Sequence, residues 1–394
     1  MGLGFAAACA LLLVAVVAGR GDERPQGDAS AAAGGGSARV TPPQRPARYR
    51  VPRNAVRVSS SRAFRGALAQ PERSAIVLAP GVYRAGRPFH NPHGHRIYSA
   101  WPGAAVLRAG LSLGGNEGPG GGLVRGIAFD IADPRKAVDE AAILVWGSGR
   151  GSRILDVTLH GHRAVAAGVA VRRPDGLVLR RAVVRRFTDF GVLVDANDLR
   201  RGRLREPAIV EDVDVAGVGR REPGSANGRA EACVWIGNTA SLRRVRVREC
   251  AWMGLWTGTA THASTFAEID VDRTPTGVYI EHFTSDSTFR RLRVGPRVRF
   301  GVSAEWADPD WGRLPASVGN VIEDSRFESS VAGVYLDEGT TRTTVRNSTF
   351  VNQSWGAIGD YRGNGNEAYA NDYSGIDSGA VAVRRDHLST FREG

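Results

Sequence analysis

A short apolar strand, usually preceded by glycine, recurs along the chain as ILVW at 143, VAVR at 169, VLVD at 192, VWIG at 234, LWTG at 255, VYIE at 278, VSAE at 302, VYLD at 334 and AIGD at 357. Successive starts differ by 26, 23, 42, 21, 23, 24, 32 and 23 residues, so a unit near 23 repeats with two enlarged members. A second ladder lies between: ILDVTL from 154, LVLRRAVV from 177, VEDVDV from 210, LRRVRV from 242, FAEIDV from 266, FRRLRV from 289, VIEDSRF from 321 and VRNSTF from 345. Two or three short strands per unit at one period predict a solenoid, each coil burying its apolar face against the next. A propeller would need four strands per blade at a period of roughly 40 or more, which the chain lacks.

Alternation within each strand assigns the faces, because neighbouring side chains of a strand point to opposite sides of a sheet. First and third positions of the first ladder point inward: Val192 and Val194, Val234 and Ile236, Val278 and Ile280, Val334 and Leu336. Val278→Asp would therefore bury an unpaired charge, whereas Ser303→Asp, facing outward, is expected to be tolerated. Ahead of the ladders, residues 62–70 predict a short amphipathic helix able to cap the solenoid, and residues 74–84 a strand, turn and strand.

The remaining segments divide by composition. Residues 5–18 form an apolar run long enough for a signal-peptide core and short for a membrane span, so residues 1–19 are taken as a signal and no stable span is expected. Residues 20–51, rich in Ala, Gly, Arg, Pro and Ser, predict a flexible linker. The solenoid is placed at 52–375, with 376–394 as a tail or cap. Loss of Cys9 with the signal leaves Cys233 and Cys250, either joined in an oxidising compartment or as two buried thiols.

The net charge of +12 raises a polyanion as partner. Lys136 is, however, the only lysine among 52 Lys and Arg residues. That bias needs no binding role, no aromatic-interleaved basic groove accompanies it, and nucleic acid is not expected.

With its ladders and the APGVYR opening at 79–84, the chain resembles the pectate-lyase-like superfamily over residues 52–375. The resemblance implies an all-β fold, a right-handed parallel β-helix, in a secreted or cell-envelope protein. It also implies a range of activities, including polysaccharide lyases, glycoside hydrolases, uronate epimerases, copper-maturation proteins, tailspikes and adhesins. No catalytic signature of those branches transfers. The chain has Asn238-Thr239-Ala240 and His160-Gly161-His162 where the pectin hydrolases carry Asn-Thr-Asp and Gly-His-Gly, and Asp308-Pro309-Asp310 where the epimerases carry Asp-Pro-His-Glu.

Outward positions of the first ladder supply the candidate chemistry. The second position runs Leu193, Trp235, Trp256, Tyr279, Ser303, Tyr335, an aromatic column suited to sugar rings, beside glycines that let a chain approach. The fourth runs Asp195, Gly237, Gly258, Glu281, Glu305, Asp337, Asp360. Carboxylates on adjacent coils would lie about 5 Å apart, and two coils apart about 10 Å, near the separations of the two glycosidase classes. Glu281, Glu305 and Asp337 are thus acid and base candidates, and like charges so close raise one another's pKa. Alternatively the column shares Ca²⁺. His282 follows Glu281 as a candidate general base.

Two insertions, at 196–208 and 216–231, carry Arg200, Arg201, Arg203, Arg205, Arg220, Arg221 and Arg229, able to pair with acidic sugars, and a third at 306–317 brings Trp306 and Trp311. Two histidine groups, His90, His93 and His95, and His160 with His162, are spaced too loosely to assign a metal. The leading reading is a secreted β-helix that binds a polysaccharide, acidic ones included, along its side and cleaves or epimerises it. The alternatives are a non-catalytic adhesion module and a periplasmic metal-delivery β-helix.

Overall fold

The computed structural model describes residues 40–41, 48–116, 120–194, 206–219, 231–258, 261–281, 284–304, 317–387 and 389–394. The proposed signal, most of the linker, the seven insertion arginines, Asp195, His282, Glu305, Trp306 and Trp311 lie outside the described residues.

The chain is all-β, a right-handed parallel β-helix. Among the described residues, one parallel sheet of 12 strands runs from Phe89–Asn91 to Val381–Arg385 and carries the first ladder, and a 22-strand sheet carries the second. Coil-to-coil register stacks Ile143, Val169, Val192, Val234, Leu255, Val278, Val302, Val334 and Ile358 in one inward column. All are buried, and across the core Phe266 stacks on Phe289 with centroids 4.7 Å apart. The glycine that usually precedes the repeat is steric: a Cβ on Gly277 would stand 2.5 Å from the Gly301 carbonyl oxygen of the next coil.

Two expectations change. First, Val334 pairs with Ile358 and Leu336 with Asp360, so the AIGD repeat is displaced by one residue. Ile358, not Ala357, is the branched residue that continues the aliphatic column, and a slip of one turns every side chain over. Asp360 consequently leaves the outward acidic column and is buried, accepting hydrogen bonds from Asn366 Nδ2 at 2.8 Å and from the Ser389 hydroxyl. Second, Ser303 does face outward but is only 3% exposed, so a new charge there would also be desolvated. Tyr49 packs under the Arg125 guanidinium at 4.4 Å, and strands Val381–Arg385 and Arg392–Glu393 pair in parallel with the coil before them.

Helix α1 (Ser61–Leu68) closes the first coil. Ser60 Oγ accepts from the Ala63 amide at 3.2 Å, and buried Phe64 and Leu68 plug the end of the core, Phe64 4.8 Å from the Phe89 ring. Among the described residues no helix is long and apolar enough to cross a membrane. Cys233 and Cys250 are disulfide-bonded, joining strand Ala232–Ile236 to the turn just after Ala240–Arg248.

The second ladder bends at a left-handed corner in every coil: Asp156, Arg181, Asp212, Arg244, Glu268, Arg291 and Asp324 have φ between 51° and 58°. Each such residue costs roughly 1–2 kcal/mol. From Asp156 to Asp324 the column alternates in sign, before the uncharged Asn347 and Ala370, and several corners meet opposite charge on a neighbouring coil. Asp156 takes Arg125 Nε at 3.1 Å and also Arg181, Arg244 bridges Asp212 and Glu211, and Arg291 reaches Glu268 at 3.1 Å. Part of the arginine excess therefore serves the solenoid itself.

Candidate functional site

Register on the outward face of the first-ladder sheet brings Leu193, Trp235, Trp256, Tyr279, Ser303 and Tyr335 side by side on consecutive coils. The rings pack on one another: Trp235 and Trp256 stack at 4.9 Å and 17°, and Tyr279 meets Trp256 edge-on at 5.8 Å. A second outward column, Phe190, Ala232, Met253, Thr276 and Phe300, runs beside it. Sequence reading missed it, since the glycine that separates it from the ladder breaks simple alternation. The two columns form one cluster, leaving Trp256 6% and Tyr279 4% exposed. Stacked faces are spent on one another, so exposed aromatic surface in the predicted column is confined to the partly exposed Trp235 and Tyr335. The Trp235 indole N–H is buried with no hydrogen-bond partner among the described residues.

Glu281 follows strand Thr274–Ile280 and turns back beneath this column. Its carboxylate accepts from Trp256 Nε1 at 3.0 Å, and the residue is 8% exposed. Gly258 makes the room: a Cβ there would lie 2.3 Å from Glu281 Oε2. The glycine read as an open approach for substrate is filled by this carboxyl group. Burial pushes the Glu281 pKa up to about 7, the Trp256 hydrogen bond opposing the rise. Among the described residues the cause of the rise is desolvation.

Asp337 follows strand Ala332–Leu336 two coils further along, with Val298–Ala304 between. Burial raises its pKa too, against a hydrogen bond from the Glu338 amide at 2.8 Å. At the ~4.8 Å spacing of strands the two carboxyl-bearing positions stand about 10 Å apart. Among the described residues the acidic column thus reduces to Glu281 and Asp337.

The first histidine group does not converge on a metal position. The buried His95 ring pairs with Ser74 Oγ at 3.0 Å and the Gln70 carbonyl at 3.0 Å, while His90 pairs with Ser112 Oγ at 2.9 Å.

No protein-family model matches the chain, and no curated protein matches it. Solved structures do. The catalytic unit of a thermostable GH87 alpha-1,3-glucanase from Streptomyces thermodiastaticus strain HF3-3 is 14% identical over 88% of this chain and 71% of that one, with a TM-score of 0.59. The catalytic domain of GH87 alpha-1,3-glucanase in complex with nigerose is 14% identical, covering 90% and 69%, at a TM-score of 0.52. The Dettilon tailspike protein is 13% identical, covering 82% and 64%, also at 0.52. At these identities the likeness shows the parallel β-helix fold.

Proposed function

We propose that this chain is a secreted β-helix hydrolase that binds a polysaccharide across the outward face between Trp235 and Tyr335, with Glu281 as general acid and Asp337 as general base. The observation that carries the reading is the Glu281 carboxyl, buried under Trp256 and protonated up to about neutral pH. A carboxyl held neutral can deliver a proton to a glycosidic oxygen and is a poor ligand for Ca²⁺, which favours hydrolysis over the Ca²⁺-assisted elimination or epimerisation also open to the sequence. The spacing of about 10 Å to Asp337 lies near the roughly 6.5–9.5 Å of inverting glycosidases, where a water fits between. The Cys233–Cys250 bond supports an oxidising compartment.

A non-catalytic binding module is the second reading, favoured by the tight packing of Trp256 and Tyr279. Both readings require binding. Titration of the full chain against neutral and acidic polysaccharides, with α-1,3-glucan among the first because two fold neighbours act on it, should find a ligand. Trp235→Ala combined with Tyr335→Ala is expected to weaken that affinity tenfold or more, at about 1 kcal/mol per ring. Unchanged affinity in the folded double variant would remove the site from this face.

A further inference from the structure

The geometry points to a divalent transition-metal site at Asp130, His160 and His162, on the second-ladder sheet and separate from the Glu281 face. Strands Ile127–Asp130 and Thr158–His160 are parallel neighbours whose register sets Asp130 directly beside His160. Just beyond, the chain turns: Gly161 leaves no side chain where a Cβ would stand 2.5 Å from the Phe187 ring, and His162 adopts φ 51°. That corner swings the second imidazole back over the first, with ring centroids 4.0 Å apart.

The Asp130 carboxylate divides its oxygens. Oδ1 lies 2.5 Å from His162 Nε2 and 3.9 Å from His160 Nδ1, while Oδ2 lies 3.3 Å from Arg108 Nε. Arg108 thereby fixes the carboxylate through one oxygen and leaves the other facing the imidazoles, the way outer groups orient metal ligands. One ligand atom from each of the three residues lies within 4.8 Å of the others, and this is the one such group among the described residues.

Ligands about 2.0–2.1 Å from a tetrahedral ion stand roughly 3.3 Å apart. Side chains 33% to 40% exposed can close that difference by small rotations. Two imidazoles and one carboxylate suit Zn²⁺ or Fe²⁺ and leave an open position for water, whereas Mg²⁺ and Ca²⁺ prefer all-oxygen shells. The spacing of His160 and His162 alone could not reveal the site. Asp130 ends strand Ile127–Asp130, which pairs with Ala105–Leu107 and Thr158–His160 and which the sequence ladder did not include.

The test is calorimetric titration of the chelator-treated full chain with ZnCl₂. One equivalent should bind with micromolar or tighter affinity, and Asp130→Asn and His160→Ala, with unchanged circular dichroism, should each weaken it at least tenfold. Should a variant misfold, Co²⁺ titration of the unaltered chain decides: a visible d–d band displaced by one equivalent of Zn²⁺ supports the site. An Asp130–His162 ion pair with no metal role predicts neither, and absence of stoichiometric binding at millimolar Zn²⁺, of the cobalt band, or of any effect of both substitutions overturns the proposal.

Discussion

Glu281→Gln should lower turnover of a hydrolysed polysaccharide by about 10²–10⁴-fold, because an amide cannot deliver the proton that the buried carboxyl supplies. Binding should change little, since glutamine keeps the shape and can still accept from Trp256 Nε1. The pH profile is equally specific. The acid must be protonated, so activity is present below a pH of about 7 and lost as pH rises through it. With its ordinary value of 4.5 the group would already be spent in mild acid.

Stability carries the same signature. From about pH 4.5 to 7 the unfolded carboxyl releases its proton while the folded one keeps it, so the unfolded state binds fewer protons and stability falls as pH rises. A glutamine side chain does not titrate, and this component of the slope should vanish in melting curves of Glu281→Gln taken at pH 5 and pH 8. An identical slope in both proteins would show that Glu281 is ionised and disqualify it as the acid.

Val278→Asp is expected to destabilise the chain by about 3–5 kcal/mol, the range for an uncompensated buried charge. Val278 is fully buried and stacked between Leu255 and Val302, and among the described residues no cation shares that column. Thr276→Asp, on the outward face of the same strand, should cost within about 1 kcal/mol. Urea melts of the two variants measure the contrast, and equal midpoints would invalidate the assignment of inward and outward faces.

The inward columns were legible because branched residues at Val234, Leu255, Val278 and Val302 repeat a period-2 pattern at nearly constant intervals. Where residues are small the signal fades: Ala357 and Gly359 flank Ile358, nothing distinguishes the two registers locally, and the pattern alone puts Asp360 on the wrong face. The corner ladder is present in the letters but silent there. Arg181, Asp212, Arg244, Glu268 and Arg291 recur at one point of the repeat with alternating sign, a pattern that becomes meaningful once the left-handed backbone is seen.

Positions on the candidate face could be read, but their environment could not. The strand pattern puts Trp235 and Trp256 on one face, yet that the rings spend their faces on each other depends on side-chain rotation. Likewise Glu281 is buried because Gly258, one coil earlier, has no side chain, a relation across a whole repeat that local pattern does not contain.

Hydrolysis by the Glu281 face is tested most directly by digesting a polysaccharide that the full chain binds in ¹⁸O-labelled water and analysing the products by mass spectrometry. The expected products are saturated fragments with one ¹⁸O at each new reducing end, formed by the unaltered chain and absent with folded Glu281→Gln. Products with a new double bond and no label, or labelled products formed undiminished by Glu281→Gln, would contradict the account.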